Sequence, residues 1–131
     1  MIKNLNIVIA GLGTVGSATI KLIEKNKFFF SIKAGLKINI VGIFAKNKSK
    51  IRSFKKNKYK WFNNPMQMIE QKKVDIVLEL IGGEKGIAKK ICYQTLKNKK
   101  NLITANKALL AKEGYKLAKL AEENKVKIGF E

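Results

Sequence analysis

Histidine is absent from this 131-residue chain, cysteine occurs once, at Cys92, and arginine once, at Arg52. Without imidazole there is no His-based triad or proton relay and no zinc site that needs a histidine ligand. A single thiol cannot build an internal disulfide framework or a thiolate zinc cluster, and it suits a reducing, cytoplasmic setting. No apolar run approaches the roughly 18 residues of a membrane-spanning helix, so no membrane partner is expected. The start, Met1-Ile2-Lys3 followed by Ile7 to Leu12, imitates a secretory leader but lacks the small-residue cleavage pattern. Carboxylates are also scarce: nine Asp and Glu stand against 28 Lys and Arg, for a formal net charge of +19.

Such a balance ordinarily points to nucleic acid or an anionic surface. The kind of cation argues otherwise, because 27 of the 28 are lysine and the base-reading, phosphate-forking arginine is nearly missing. Lys, Asn, Ile and Phe are abundant together, as A/T-rich codons would produce, and the lysines run along the whole chain. A solvated cationic surface is therefore expected, with no nucleic-acid partner. A small phosphate-bearing ligand fits the charge equally well.

The length suits one domain, and 46% apolar residues suffice for a core. Apolar strand-like runs alternate with amphipathic segments, which predicts an α/β, Rossmann-type doubly wound fold: a mostly parallel sheet with helices on both faces. Leu5 to Ala10 reads as a buried parallel strand. After it comes a helical stripe of Val15, Ala18, Thr19, Leu22 and Ile23, then a strand over Ile38 to Ala45. Lys46 to Lys60 is polar and basic, a loop with a short helix. Asn64-Pro65-Met66-Gln67 reads as a helix start, with Asn as N-cap, Pro at the first position and Gln closing a capping box. That helix should end near Lys72, before a strand over Asp75 to Ile81. Gly82-Gly83 then breaks the chain.

A further helix, from about Glu84 to Asn98, carries Ala88, Ile91, Cys92, Thr95 and Leu96 on one face, which makes Cys92 a small core residue and not a reactive thiol. Asn101 to Thr104 is a short strand, a last helix carries Leu110, Leu117, Ala118 and Ala121, and Val126 to Glu131 is a final strand. Ending on a strand with no covering helix suggests a longer polypeptide cut short.

Gly11-x-Gly13-x-x-Gly16 lies between a strand and a helix, the context that makes this motif a dinucleotide-binding turn. Gly11 permits the tight turn, Gly13 the approach of a pyrophosphate, and Gly16 close helix–strand packing. The amides of Thr14 and Val15 open the helix, whose positive end favours phosphate. Cofactor choice belongs at the end of the second strand, where Ala45-Lys46-Asn47-Lys48-Ser49-Lys50-Ile51-Arg52 contains no carboxylate. Lys46, helped by Lys48, Lys50 or Arg52, would pair with a 2′-phosphate, which favours NADP over NAD. Lysine is common everywhere in this chain, and that weighs on the other side. Gly82 lies just past a strand and Thr104 ends one, at the carboxyl edge where α/β sheets bind ligands. Lys107 follows in a near-apolar setting, where desolvation would suit it to proton transfer; a surface lysine is the competing reading. Glu79 is either a ligand contact or a carboxylate bracing the nearby loop.

Together these segments resemble the amino-terminal nucleotide-binding domain of the homoserine dehydrogenases, from about Leu5 to Glu131. GLGTVG at 11–16, ELIGG at 79–83, TANKALLA at 104–111 and Phe130-Glu131 occur in the family's order; GLGTVG is widely shared, whereas the next two together are far more specific. The resemblance implies reversible reduction of L-aspartate 4-semialdehyde to L-homoserine with NADPH or NADH, and homodimers of the complete enzyme. It places the family's catalytic lysine at Lys107, by the nicotinamide and substrate, and Lys46 where relatives carry an arginine for the 2′-phosphate. It also makes Glu131 the first ligand of a structural sodium ion. The resemblance further implies that residues 1–131 are the cofactor-binding domain of an enzyme whose substrate-binding and dimerisation domain is missing here, with little or no turnover by this chain alone. A non-catalytic nucleotide-binding module and another semialdehyde or amino-acid dehydrogenase of the same fold are the rivals.

Overall fold

The computed structural model describes residues 2–50, 52, 54–82 and 85–130. Five strands, β1 (Lys3–Ala10), β2 (Leu36–Phe44), β3 (Ile76–Glu79), β4 (Asn101–Thr104) and β5 (Ile128–Phe130), form one sheet in the order β2-β1-β3-β4-β5. Every pairing is parallel. The connections are helical: α1 (Thr14–Phe29), running on through a π-helical turn at Phe30–Ala34, then α2 (Pro65–Glu70), α3 (Ile87–Lys97) and α4 (Lys107–Glu123). This is the doubly wound, Rossmann-type arrangement that the alternating pattern predicts.

β1 and β3 sit between neighbours and read as unbroken apolar runs because both of their faces are covered. One face packs Val8, Ala10 and Val77 against Met68, Ile69 and Ile91 of α2 and α3. The opposite face packs Ile7, Ile9 and Leu78 against Ile20 of α1. A third cluster places Leu102 of β4 under Cys92 and Leu96 of α3 and Leu109, Leu117 and Ala121 of α4. The Tyr93 hydroxyl donates to Glu113 Oε1 at 3.0 Å, and Lys89 pairs with the same oxygen at 3.0 Å, tying α3 to α4.

The expected stripe of α3 is the buried one, Ala88, Ile91, Cys92, Thr95 and Leu96. The expected stripe of α1 is largely not: Val15 and Leu22 are 55% and 62% exposed and Ala18 is exposed, Ile23 packs half-buried on the core, and Gly16, Ser17 and Ile20 face the sheet. Steric contact sets this rotation. A Cβ on Gly16 would stand 1.9 Å from the Gly11 carbonyl oxygen, so the residue without a Cβ must face the strand, and every other position follows from it. In α4, Leu117 and Ala121 are buried as expected and Leu110 packs half-buried beside them; the differences are Leu109, which is buried, and Ala118, which is exposed.

Several boundaries also differ. Asn64 caps α2 by accepting from the Met66 amide at 2.9 Å, one residue earlier than a capping box requires, and α2 stops at Glu70. β3 ends at Glu79, not Ile81, because the Glu79 carboxylate takes the Ile81 and Gly82 amides and turns the chain. The start of α3 at Ile87 falls after the expected Glu84, which with Gly83 lies outside the described residues.

Two measurements test this packing. Gly16→Ala is expected to cost about 3 kcal/mol or more in urea unfolding, since backbone and not a flexible side chain opposes the methyl. Gly114→Ala, with nothing within 4 Å of the new Cβ, is expected to stabilise by about 0.5–1 kcal/mol through helix propensity. Burial, and then the Glu79 carboxylate beside it, pushes the Cys92 thiol far above the usual range. The unfolded chain ionises this thiol from about pH 8.5 and the folded chain does not. Its contribution to stability is therefore complete below that pH and declines as pH rises. Unfolding midpoints of Cys92→Ala should lack that alkaline decline, and an aromatic disulfide reagent should label native Cys92 far more slowly than the urea-unfolded chain.

Candidate functional site

Four loops leave the carboxyl edge of the sheet on neighbouring strands, and they carry the candidate residues. Gly11, after β1, has φ +106°, a conformation that side-chain-bearing residues rarely adopt, and its amide donates to the Phe44 carbonyl at 2.8 Å. A Cβ there would meet the Leu80 carbonyl carbon at 2.5 Å, so the turns after β1 and β3 lie backbone against backbone. Ser17 secures the other side: its amide donates to the Gly13 carbonyl and its hydroxyl to the Leu12 carbonyl, each at 2.9 Å.

Gly13 is the N-cap of α1 and supplies no side-chain cap; the first turn holds no acidic residue. A Cβ built on Gly13 finds nothing within 4 Å. The positive end of α1 therefore opens, at Thr14 and Val15, onto space that a phosphate can enter closely. A cavity of about 300 Å³ adjoins it, lined by Gly13, Thr14, Ser17, Lys21, Lys50 and Arg52 among others. This donor set, backbone amides with cations and no carboxylate, fits a dinucleotide pyrophosphate.

The cations around it differ in role. Arg52 donates Nε to the Leu12 carbonyl at 3.0 Å, Nη1 to the Lys48 and Lys50 carbonyls at 3.2 and 3.0 Å, and Nη2 to the Asn47 carbonyl at 2.5 Å. Its guanidinium also lies 5.6 Å from the centre of the Trp61 ring, and Lys48 Nζ lies 5.4 Å from it. Arg52 is thus a brace that folds the loop after β2 against the glycine-rich turn, with its donors engaged on backbone. Lys46 is exposed at the start of that loop, and Lys50 and Lys21 line the cavity. The sequence reading missed Lys21. It lies four and seven residues beyond Ser17 and Thr14, on the same flank of α1, a spacing that would have revealed it once the helix was correctly rotated.

On the β3 and β4 side the centre is Glu79, fully buried. Its Oε2 accepts from the Ile81 and Gly82 amides at 2.9 and 3.1 Å, and its Oε1 from the Thr104 hydroxyl at 2.7 Å and the Cys92 thiol at 3.6 Å. Thr104 Oγ1 in turn accepts from the Asn106 amide at 3.0 Å, and Asn106 Oδ1 caps α4 by accepting from Leu109 at 3.1 Å. Of the two readings open for Glu79, the brace is the one these bonds describe. Gly82 is exposed beside it with φ +88°.

Lys107 begins α4 and is exposed, not set among apolar groups as expected. The buried place at this turn belongs to Asn106, whose capping bond holds it inward and leaves the next residue facing out. Glu131 lies outside the described residues, and among those described no group of three or more His, Cys, Asp or Glu is placed to hold a metal ion. No helix among them is long and apolar enough to cross a membrane.

Known proteins match this geometry along the whole chain. A family profile described as "Homoserine dehydrogenase, NAD binding domain" matches residues 11–131. A homoserine dehydrogenase of Helicobacter pylori is 39% identical over 137 aligned residues, which cover 100% of this chain and 30% of that protein. A crystal structure of the S. aureus homoserine dehydrogenase superposes with a TM-score of 0.92 at 38% identity, over 100% of this chain and 33% of that one. The homoserine dehydrogenase structure from Thiobacillus denitrificans gives 0.85 at 30% identity, over 99% of this chain and 30% of that one. The chain thus spans about a third of the length of these relatives, and it belongs to the homoserine dehydrogenase family as an NAD(P)-binding domain.

Proposed function

We propose that this chain is the cofactor-binding part of an enzyme that interconverts L-aspartate 4-semialdehyde and L-homoserine, with NADP preferred over NAD. The observation that carries the reading is the open, acid-free amino end of α1 at Gly13, flanked by Lys21 and Lys50. Gly11 and Gly16 hold the turn in shape, and the Thr14 and Val15 amides take the pyrophosphate. Lys46 and Lys50, on a loop without carboxylates, favour a 2′-phosphate; each is a point charge without the fork of an arginine. Gly82 and Thr104 border the nicotinamide end.

The nicotinamide, when bound, supplies the hydride. Lys107, exposed at the lip of that edge, is proposed to give or take the proton at the substrate oxygen. Glu131 is proposed as one ligand of a sodium ion in the complete enzyme, which is expected to be a cytoplasmic homodimer acting on a small-molecule substrate. The chain spans only about a third of the length of the homoserine dehydrogenases it matches. The chain alone is therefore expected to bind cofactor with little turnover of homoserine.

Calorimetric titration with NADPH and then NADH, at two salt concentrations, tests the reading. Saturable binding that favours NADPH is expected. Lys46→Glu should weaken NADPH by about tenfold while leaving NADH nearly unchanged, whereas Lys50→Glu, which puts a carboxylate into the cavity assigned to the pyrophosphate, should weaken both. An unchanged NADPH-to-NADH ratio in Lys46→Glu would remove Lys46 from the 2′-phosphate site, and absence of binding by a folded chain would sink the cofactor role.

A further inference from the structure

We propose that Glu79 is a positioning residue that couples the turn bordering the cofactor, at Ile81–Gly82, to the turn that presents Lys107. The functional half of this proposal rests on the cofactor reading above; the coupling itself rests on the hydrogen bonds alone.

A carboxylate can stay buried only if its lone pairs are met by donors, and here all four recorded partners are donors from three separate elements. Two are amides of the turn after β3, one is the hydroxyl at the end of β4, and one is the thiol of α3. One oxygen serves the β3 side and the other serves β4 and α3. The carboxylate is planar and rigid, so moving one turn rotates the acceptor away from the other. Thr104 extends the tie: its one hydroxyl donates to Glu79 and accepts from the Asn106 amide, the residue directly before Lys107. The chain of contacts thus runs from Gly82 through Glu79 and Thr104 to the first turn of α4. It also reaches the glycine-rich turn, since Leu80 and Ile81 pack their backbone onto Gly11. The bond to Thr104, 25 residues away, satisfies the second buried oxygen and at the same time joins the β3 turn to the end of β4.

Amide hydrogen exchange on the full chain, followed by NMR, separates coupling from local bracing. In the ligand-free chain, Thr104→Val removes a hydroxyl that touches neither Ile81 nor Gly82. Exchange at both should nevertheless rise about tenfold, together with Asn106, and Thr104→Ser should restore all three. Conversely, Glu79→Gln should raise exchange at Asn106, which Glu79 does not touch, because an amide NH2 now faces the Thr104 hydroxyl and reverses that bond. This second variant carries the test if Thr104→Val does not fold. Exchange at Ile81 and Gly82 that ignores Thr104→Val, or at Asn106 that ignores Glu79→Gln, would show two independent turns and overturn the proposal.

Adding saturating NADPH supplies the functional arm. In the wild-type chain protection is expected at Ile81 and Gly82 and also at Asn106 and Leu109; in Thr104→Val it should stop at the first pair. Protection that spreads equally far in Thr104→Val would overturn the relay. NADPH protection at neither turn of the wild-type chain would refute the functional half, and intact coupling in the ligand-free chain would then locate the fault in the cofactor reading.

Discussion

The contact between Gly16 and the Gly11 carbonyl decides more of this structure than any other. It permits only a hydrogen where every other residue has a carbon, and in doing so it fixes both the distance of α1 from β1 and the helix's rotation. The buried side of α1 follows, with Ser17 and Ile20 inward, and so does the outward side, with Gly13 bare at the amino end and Lys21 toward the cavity. An anion site of this kind needs no specialised side chain. It needs a helix brought close, started by a residue without a Cβ, and kept free of carboxylates.

Around that site the excess of positive charge divides by geometry. Among the described lysines all but the buried Lys100 are exposed, and they are long, singly charged and widely spread, so their number says little about where an anion binds. The lone arginine is engaged with four backbone carbonyls and an aromatic face, shaping the loop on which Lys46 and Lys50 stand. A residue type noted in the sequence for its scarcity thus serves as scaffold, where a planar fork of donors can satisfy several carbonyls at once.

How much was legible depended on whether one segment or several set the answer. The α3 face is set by its own periodicity and reads correctly from Ala88 to Leu96. The α1 face is set by a glycine meeting a carbonyl from another segment, and the apolar pattern there named Val15 and Leu22, which face outward. The glycine-rich turn was legible because its spacing encodes a local backbone path. The setting of Lys107 was not, because whether a residue at a helix start faces inward depends on its neighbour: Asn106 takes the buried, capping place. Glu79 stood between two readings in the sequence for a similar reason. Its partners Thr104 and Cys92 lie 25 and 13 residues away, and only the sheet brings them together.

The same separations along the chain have a consequence for how such a domain is made. The contacts that shape the phosphate cradle, from Gly11 against Gly16 to Gly11 against Leu80 and Ile81, involve nothing later than residue 81. A ribosome delivering the chain from its amino end therefore supplies every part of the cradle before the residues of β4 and α4 exist. Glu79 emerges with two of its partners beside it and with Thr104 still 25 residues from synthesis. Until Cys92 and then Thr104 arrive, half of a carboxylate destined for the interior depends on water. The final closure of this core is in that sense deferred to the strand that leads, two residues on, into the turn before Lys107.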